Sequence, residues 1–240
     1  MRNAEAIELG KRILALVEVG EARDAYALLG PVLAQRTPFP LLQRIGEAVG
    51  AGSPSAVNVF LDRVAAERTM GGWVVIGGAL LQQLDRDLVG AFERCRTYVI
   101  AADVWYATDI LGERVPGPAL LSHFETAISL LASWRQDENR WVRRTVGVAV
   151  HFWAKRARGA RELQPRVARL LDLLEPMFEE REKDAIKGVG WGLKTLGRYY
   201  PDLVTDWLVD QVAVRKRPHR ALMLRKACTY LTEEQRARLM

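Results

Sequence analysis

An indole and a carboxylate stand four residues apart at Trp105 and Asp109, a spacing that puts both on one face of a helix. Trp141 and Arg144 are three apart, and Lys187, Trp191 and Lys194 fall along one helical face further on. Aromatic faces, one carboxylate and several cations together suit a definite hydrolysis. A purine alkylated at N3 or N7 is a cationic leaving group, so its glycosidic bond breaks without general-acid help and leaves positive charge on the sugar. A carboxylate beside the anomeric carbon stabilises that charge and orients water, as carboxylates do in other glycoside hydrolyses. Indole faces add cation–π attraction of roughly 0.5–2 kcal/mol each, and Lys and Arg side chains hold the flanking phosphates.

Each grouping also has a plainer reading. Trp105, Trp141 and Trp191 are core residues on that reading, since tryptophan is mostly buried wherever it occurs. Asp109 is then a helix-end residue or the partner of an arginine, Arg144 is that partner, and the lysines are solvated. Gly188, Gly190 and Gly192 alternate around Trp191, and each costs about 0.8–1 kcal/mol relative to alanine inside a helix. Close backbone approach compensates, either to a neighbouring helix or to a ligand. Tight packing accounts for one or two of them. Three around a tryptophan and two lysines suggest a surface built to meet a phosphate backbone.

The elements that must position these groups read as helices almost from end to end. Ile7, Ile13, Leu14, Leu16 and Val17 recur at helical spacing. Ser53-Pro54 opens another helix, with serine as N-cap and proline in the first turn. Helical patterns follow near 73–84, 87–102, 118–133, 139–157, 164–178, 183–198, 201–213 and 219–230, with breaks at Gly71-Gly72, Pro116-Gly117-Pro118, Gly159 and Pro201. Thr232 to Gln235 fits a capping box that opens a last short helix. Many helices of roughly 12 to 20 residues on short turns predict an all-α, HEAT-like array of paired helices. With no long linker, residues 1–240 are expected to form one domain; an irregular helical bundle is the rival architecture.

The chain has 240 residues, 49% hydrophobic and 27% charged, which are globular values. Residues 131–240 hold 23 of the 35 lysines and arginines against 14 of the 29 acids, a net of +9, which leaves −3 for residues 1–130. A basic half is the usual footprint of a polyanion partner; a solvated basic face is the alternative. No apolar run approaches the roughly 20 residues of a membrane span, and no signal peptide is expected. Cys95 and Cys228 stand alone without a CxxC, and His123, His151 and His219 are scattered. A reduced, cytoplasmic setting without disulfides or zinc follows as the expectation, and a metal hydrolase is not expected.

At these residues the chain resembles the AlkD-like HEAT-repeat DNA alkylation-repair glycosylases. The Trp-x-x-x-Asp pair of that family is similar to Trp105 and Asp109, its Trp-x-x-Arg motif to Trp141 and Arg144, and its Lys-Ala-Ile-Gly-Trp-x-Leu-Arg run to Lys187 through Lys194. Tyr200-Pro-Asp202 and Leu224-Arg-Lys-Ala227 sit where members carry similar segments, so the resemblance spans roughly residues 95 to 230. It implies excision of cationic N3- and N7-alkylpurines from duplex DNA with the base left unflipped, hence no snug base pocket. It implies Asp109 as the catalytic aspartate, Trp105 and Trp191 as tryptophans flanking the deoxyribose, and Arg144 beside the aspartate. Lys194 stands where the family has arginine, which keeps the charge and loses the bidentate fork. The first hundred residues match the family pattern poorly.

The reading that follows is a monofunctional DNA-alkylpurine glycosylase, needing no cofactor and no metal and acting as a monomer. Lys187 and Lys194 would meet phosphates, with Arg143, Arg156 and Arg158 as further backbone contacts. Two other readings stand beside it: a non-catalytic paralogue that binds distorted or branched DNA, and a HEAT-repeat scaffold for another protein.

Overall fold

The computed structural model describes residues 1–239, and among them every regular element is helical. The chain divides into two compact units, Met1–Val115 and Pro116–Met240; Met240, the end of the expected array, lies outside the described residues. In the first unit, α1 (Asn3–Glu18), α3 (Phe39–Gly50), α5 (Met70–Gln83) and α7 (Trp105–Gly112) pack in succession as one row. A second row is formed by α2 (Ala22–Leu33), α4 (Pro54–Ala66) and α6 (Leu88–Ala102). The core between the rows holds Phe60, Trp73, Ile76, Phe92 and Tyr98, each at most 2% exposed. These large apolar side chains supply most of the drive to pair the rows, at roughly 25 cal/mol per Å² removed from water.

The second unit repeats the plan. One row is α8 (Pro116–Ser122), α10 (Arg140–Ala157), α12 (Lys183–Tyr199) and α14 (Ala221–Ala227). The other is α9 (Phe124–Trp134), α11 (Gln164–Leu174), α13 (Pro201–Val209) and α15 (Glu233–Ala237). Along α12 the buried set Ala185, Ile186, Val189, Leu193 and Leu196 follows the helical period. Trp153, Leu170, Phe178 and Leu193 lie in this unit's core. The all-α, paired-helix array expected from the periodicity is therefore what each unit contains.

The caps explain where several helices begin. Asn139 opens α10 by accepting from the backbone N–H of Trp141 at 2.8 Å and of Val142 at 3.4 Å. The capping box is present: Gln235 N–H donates to Thr232 Oγ1 at 3.1 Å, and Thr232 N–H donates to Gln235 Oε1 at 3.0 Å. Other boundaries differ from the sequence reading. Pro116-Gly117-Pro118, expected as a break, opens α8, because proline is tolerated in a first turn whose N–H groups have no partner anyway. Gly71-Gly72 lies inside the first turn of α5, where Thr69 Oγ1 caps Gly72 N–H at 3.1 Å. Ser53 occupies the N-cap position without capping; its N–H donates to Glu18 Oε1 at 2.6 Å instead. The expected helix over 118–133 is split at His123, and that over 219–230 tightens into a 3₁₀ turn at Cys228–Tyr230.

Successive helices of the main rows cross with their backbones almost touching. A methyl group on Gly46 or Gly50 of α3 would run into the backbone carbonyls of Val75 or Ala79 on α5, and one on Gly147 of α10 would run into Gly188 of α12. A methyl on Gly192 would lie 2.8 Å from the Gly147 carbonyl oxygen. Gly147→Ala should therefore force α10 and α12 apart and cost about 3 kcal/mol, an overpacking penalty. Urea unfolding would show it as a lower midpoint at unchanged slope, and a loss below about 1 kcal/mol would contradict the crossing described here.

Candidate functional site

In the first unit the Trp105–Asp109 pair is set by a sharp turn. The chain leaves α6 at Asp103, in the left-handed region at φ 46°, passes through extended Val104 and enters α7 at Trp105. Ala107, Thr108, Ile110 and Leu111 are buried and fix the helix against α5 and α6. That leaves Trp105 on the outer side of the first turn, 57% exposed, with its ring edge-on to Tyr106 at 5.9 Å. Asp109 follows one turn later, half-buried. Trp105 is thus not a core residue.

In the second unit, Trp141 and Arg144 are both buried, at 5% and 6% exposure. Trp141 is a core residue with the Arg140 guanidinium 5.0 Å above its ring. Arg144 crosses towards α12, where its Nη1 donates to the Asp184 carbonyl at 3.0 Å. Gly188 makes that path available: a methyl there would come within 2.6 Å of Arg144 Cγ. Lys187 bonds the side chain of the same residue, with Nζ 3.2 Å from Asp184 Oδ1. The fold therefore gathers Arg144 and Lys187 at the start of α12. Arg143 points elsewhere, its guanidinium bonded to Glu180 at 2.6 and 3.3 Å and to the carbonyls of Asp137 and Glu138. Arg156 is exposed and lies 4.3 Å over the Phe152 ring, and Arg158 is the exposed left-handed C-cap of α10.

Trp191 sits on the face of α12 that follows Lys187. Its ring stacks on His151 of α10 with centroids 3.8 Å apart and planes at 21°. Thr195 Oγ1 donates its single proton to the Trp191 carbonyl at 2.9 Å, so at 2.7 Å it accepts from His151 Nδ1, which fixes the imidazole tautomer. Burial, and then the positive field of Lys155, Arg156 and Lys194, pushes the His151 pKa down to about 4. A neutral imidazole thus backs the indole. Trp191, His151 and Thr195 form one side of a cleft of about 200 Å³ whose other walls are Lys155, Lys194, Arg198, Tyr199 and Tyr230. Among the described residues, no carboxylate lines this cleft. The Lys194 ammonium and the Arg198 guanidinium lie 5.2 and 5.3 Å from the centre of the Tyr230 ring. A larger cleft of about 370 Å³, lined by Glu179, Arg181, Pro218, His219 and Arg220, contains none of the residues singled out from the sequence.

His151, Lys155, Arg198 and Tyr230 were not among the residues picked from the sequence. They belong to no short motif, and their relation to Trp191 runs across the row of helices. The only sequence signal was the basic excess after residue 131, which counts charges without placing them. The glycine trio reads differently once placed. Gly188 and Gly192 face α10, and a methyl on Gly190 would lie 2.7 Å from Cδ of Lys226 on α14. All three are accounted for by neighbouring helices, not by an open surface.

The depressed His151 pKa makes stability acid-sensitive. An unfolded histidine takes up a proton near 6.5, whereas the folded one resists until about 4, so the contribution is present above the unfolded value and is lost as pH falls through that window. Linkage puts the loss at about 2 kcal/mol between pH 7.5 and pH 5. In His151→Phe, which keeps an aromatic ring under Trp191, that part of the pH dependence should vanish. Denaturant unfolding at the two pH values checks it, and identical pH profiles for the two proteins would show that His151 is not the titrating group.

Among solved structures, the chain is similar in fold to Pseudomonas fluorescens alkylpurine DNA glycosylase AlkC, determined bound to DNA containing an abasic site analog. The superposition has a TM-score of 0.59 at 16% sequence identity and covers 93% of this chain. This chain spans 62% of the length of that one. A comparison with curated proteins found no match. No helix among the described residues is long and apolar enough to cross a membrane. The family model described as DNA alkylation repair enzyme matches residues 74–231, from within α5 to the end of the 3₁₀ turn that follows α14. With about two thirds of its length matched, from before Trp105 to beyond Trp191, the chain belongs to the DNA alkylation repair enzyme family.

Proposed function

We propose that this protein is a monofunctional DNA glycosylase that hydrolyses the N-glycosyl bond of cationic N3- and N7-alkylated purines in duplex DNA. The observation that carries the proposal is Trp105, 57% exposed at the start of α7 with Asp109 one turn behind it, inside the segment matched to a DNA-repair family. The bond between C1′ and N9 breaks with its electron pair going to the purine, which leaves neutral. Positive charge then develops on the sugar. The Asp109 carboxylate stabilises it and accepts a proton from the water that adds to C1′. The family resemblance assigns Trp105 and Trp191 each an indole contact to the deoxyribose.

Arg144, Lys187 and Lys194 are assigned to the DNA backbone or to orienting the carboxylate, and exposed Arg156 and Arg158 to outlying phosphates. For Arg143, the Glu180 and carbonyl bonds favour a structural part. We take the two units to act as one domain on one duplex, with one chain per lesion and no cofactor. Two buried, unbonded thiols at Cys95 and Cys228 fit a reducing compartment such as the cytoplasm.

Release of N3-methyladenine and N7-methylguanine from methylated duplex DNA tests the proposal, with wild type and Asp109→Asn compared side by side. Wild type should release both bases. Asp109→Asn should lose at least about 100-fold in rate, the scale of losing one transition-state charge contact, while still binding the duplex. Full activity in Asp109→Asn would remove Asp109 from the chemistry. Binding without release by wild type would instead assign the protein to the non-catalytic DNA-binding reading.

A further inference from the structure

Gly190 is the member of the glycine trio that does not face α10. A methyl at this position would lie 2.7 Å from Cδ and 2.9 Å from Cβ of Lys226. The aliphatic stem of Lys226 therefore rests directly on the α12 backbone at Gly190. α14 holds it there by burying Met223 and Ala227, which leaves Lys226 half-buried between them in sequence.

The surroundings of that lysine are cationic. Burial, and then Lys194, Arg144, Lys187 and Arg225, all act to hold its pKa below the ordinary lysine range. Lys187 is offset by Asp184, but neither Lys226 nor Lys194 has a carboxylate ion-pair partner among the described residues. A solvated lysine on a flexible four-carbon stem turns away from like charges. Here the missing side chain at Gly190 lets the Lys226 stem lie along α12 among them. Cations gathered without carboxylate partners attract an anion. Lys187, Gly190, Trp191 and Lys194 lie at helical spacing along α12, so the anion belongs beside Trp191.

We propose that Lys226, seated on Gly190, forms with Lys194 a subsite for one backbone phosphodiester of the DNA strand that passes Trp191. This rests on the DNA-glycosylase reading above, and adds a contact from α14 and a reason for Gly190. The contact is to the phosphodiester, so it serves alkylated and unmodified duplex alike.

The test is equilibrium binding of the full chain to one duplex, unmodified and methylated, across a range of salt. Lys226→Met should weaken binding to both by roughly 5- to 10-fold near physiological salt and reduce the slope of log K against log [salt] by about 0.9, one phosphate contact. Lys226→Arg should keep the wild-type slope. Gly190→Ala, checked first for an unchanged helical spectrum, should lower affinity to the same degree, and the double variant should bind no worse than Lys226→Met alone. An unchanged slope in Lys226→Met, with wild type binding and excising normally, overturns the subsite alone. Fully additive losses in the double variant overturn the seating on Gly190. Failure of wild type to bind duplex DNA at low salt overturns the glycosylase reading and the subsite with it.

Discussion

Gly147 and Gly188 meet with no side chain between them, and the register of α10 against α12 follows from that meeting. Once the backbones are this close, neither helix can slide or rotate without driving a carbonyl into a Cα. Everything assigned to the second unit hangs on that register. Arg144 passes over Gly188 to reach the Asp184 carbonyl, and His151 comes level with Trp191 one turn further along each helix. The glycines are unfavourable for either helix in isolation. They are tolerated because close approach brings dispersion contacts and buries Val146, Val150, Val189 and Leu193 on both sides of the crossing.

The first unit uses the same device at α3 and α5, where Gly46, Gly50 and Gly78 take the crossing positions, although its candidate residues are placed by another means. The left-handed Asp103 turns the chain so that α7 begins with Trp105 facing out and Ala107, Ile110 and Leu111 facing in. One unit thus presents an indole by a turn, and the other by a helix crossing. In both, the side chain assigned to a contact is carried on a helix whose opposite face is buried, which keeps its position independent of loops.

The helical period and the Thr232–Gln235 capping box were legible because each depends on residues close in sequence, and so were the Trp-containing spacings. Boundaries at Pro116 and Gly71 were not, because proline and glycine are compatible both with a break and with a first helical turn, and the choice lies in what precedes them. Trp141 and Trp191 look alike in sequence. One is core and the other lines a cleft, because burial is decided by the helix that packs alongside. The same limit hid His151 and Lys226, 40 and 35 residues from Trp191 in sequence, and it turned the glycine trio towards a ligand when its partners are helices. Family kinship was readable over the segment where motif residues cluster, and the region before α5 lies outside the family match.

The stack of His151 on Trp191 has a thermodynamic consequence. An indole pinned by an imidazole, itself tied through Thr195 to the Trp191 carbonyl, has little rotamer freedom left to lose when a ligand arrives. Trp105, 57% exposed with the Tyr106 ring edge-on beside it, is held less tightly. The two tryptophans are therefore unequal hosts. On the glycosylase reading proposed above, Trp191 would meet its ligand as a rigid wall, and Trp105 would lose rotamer entropy on contact.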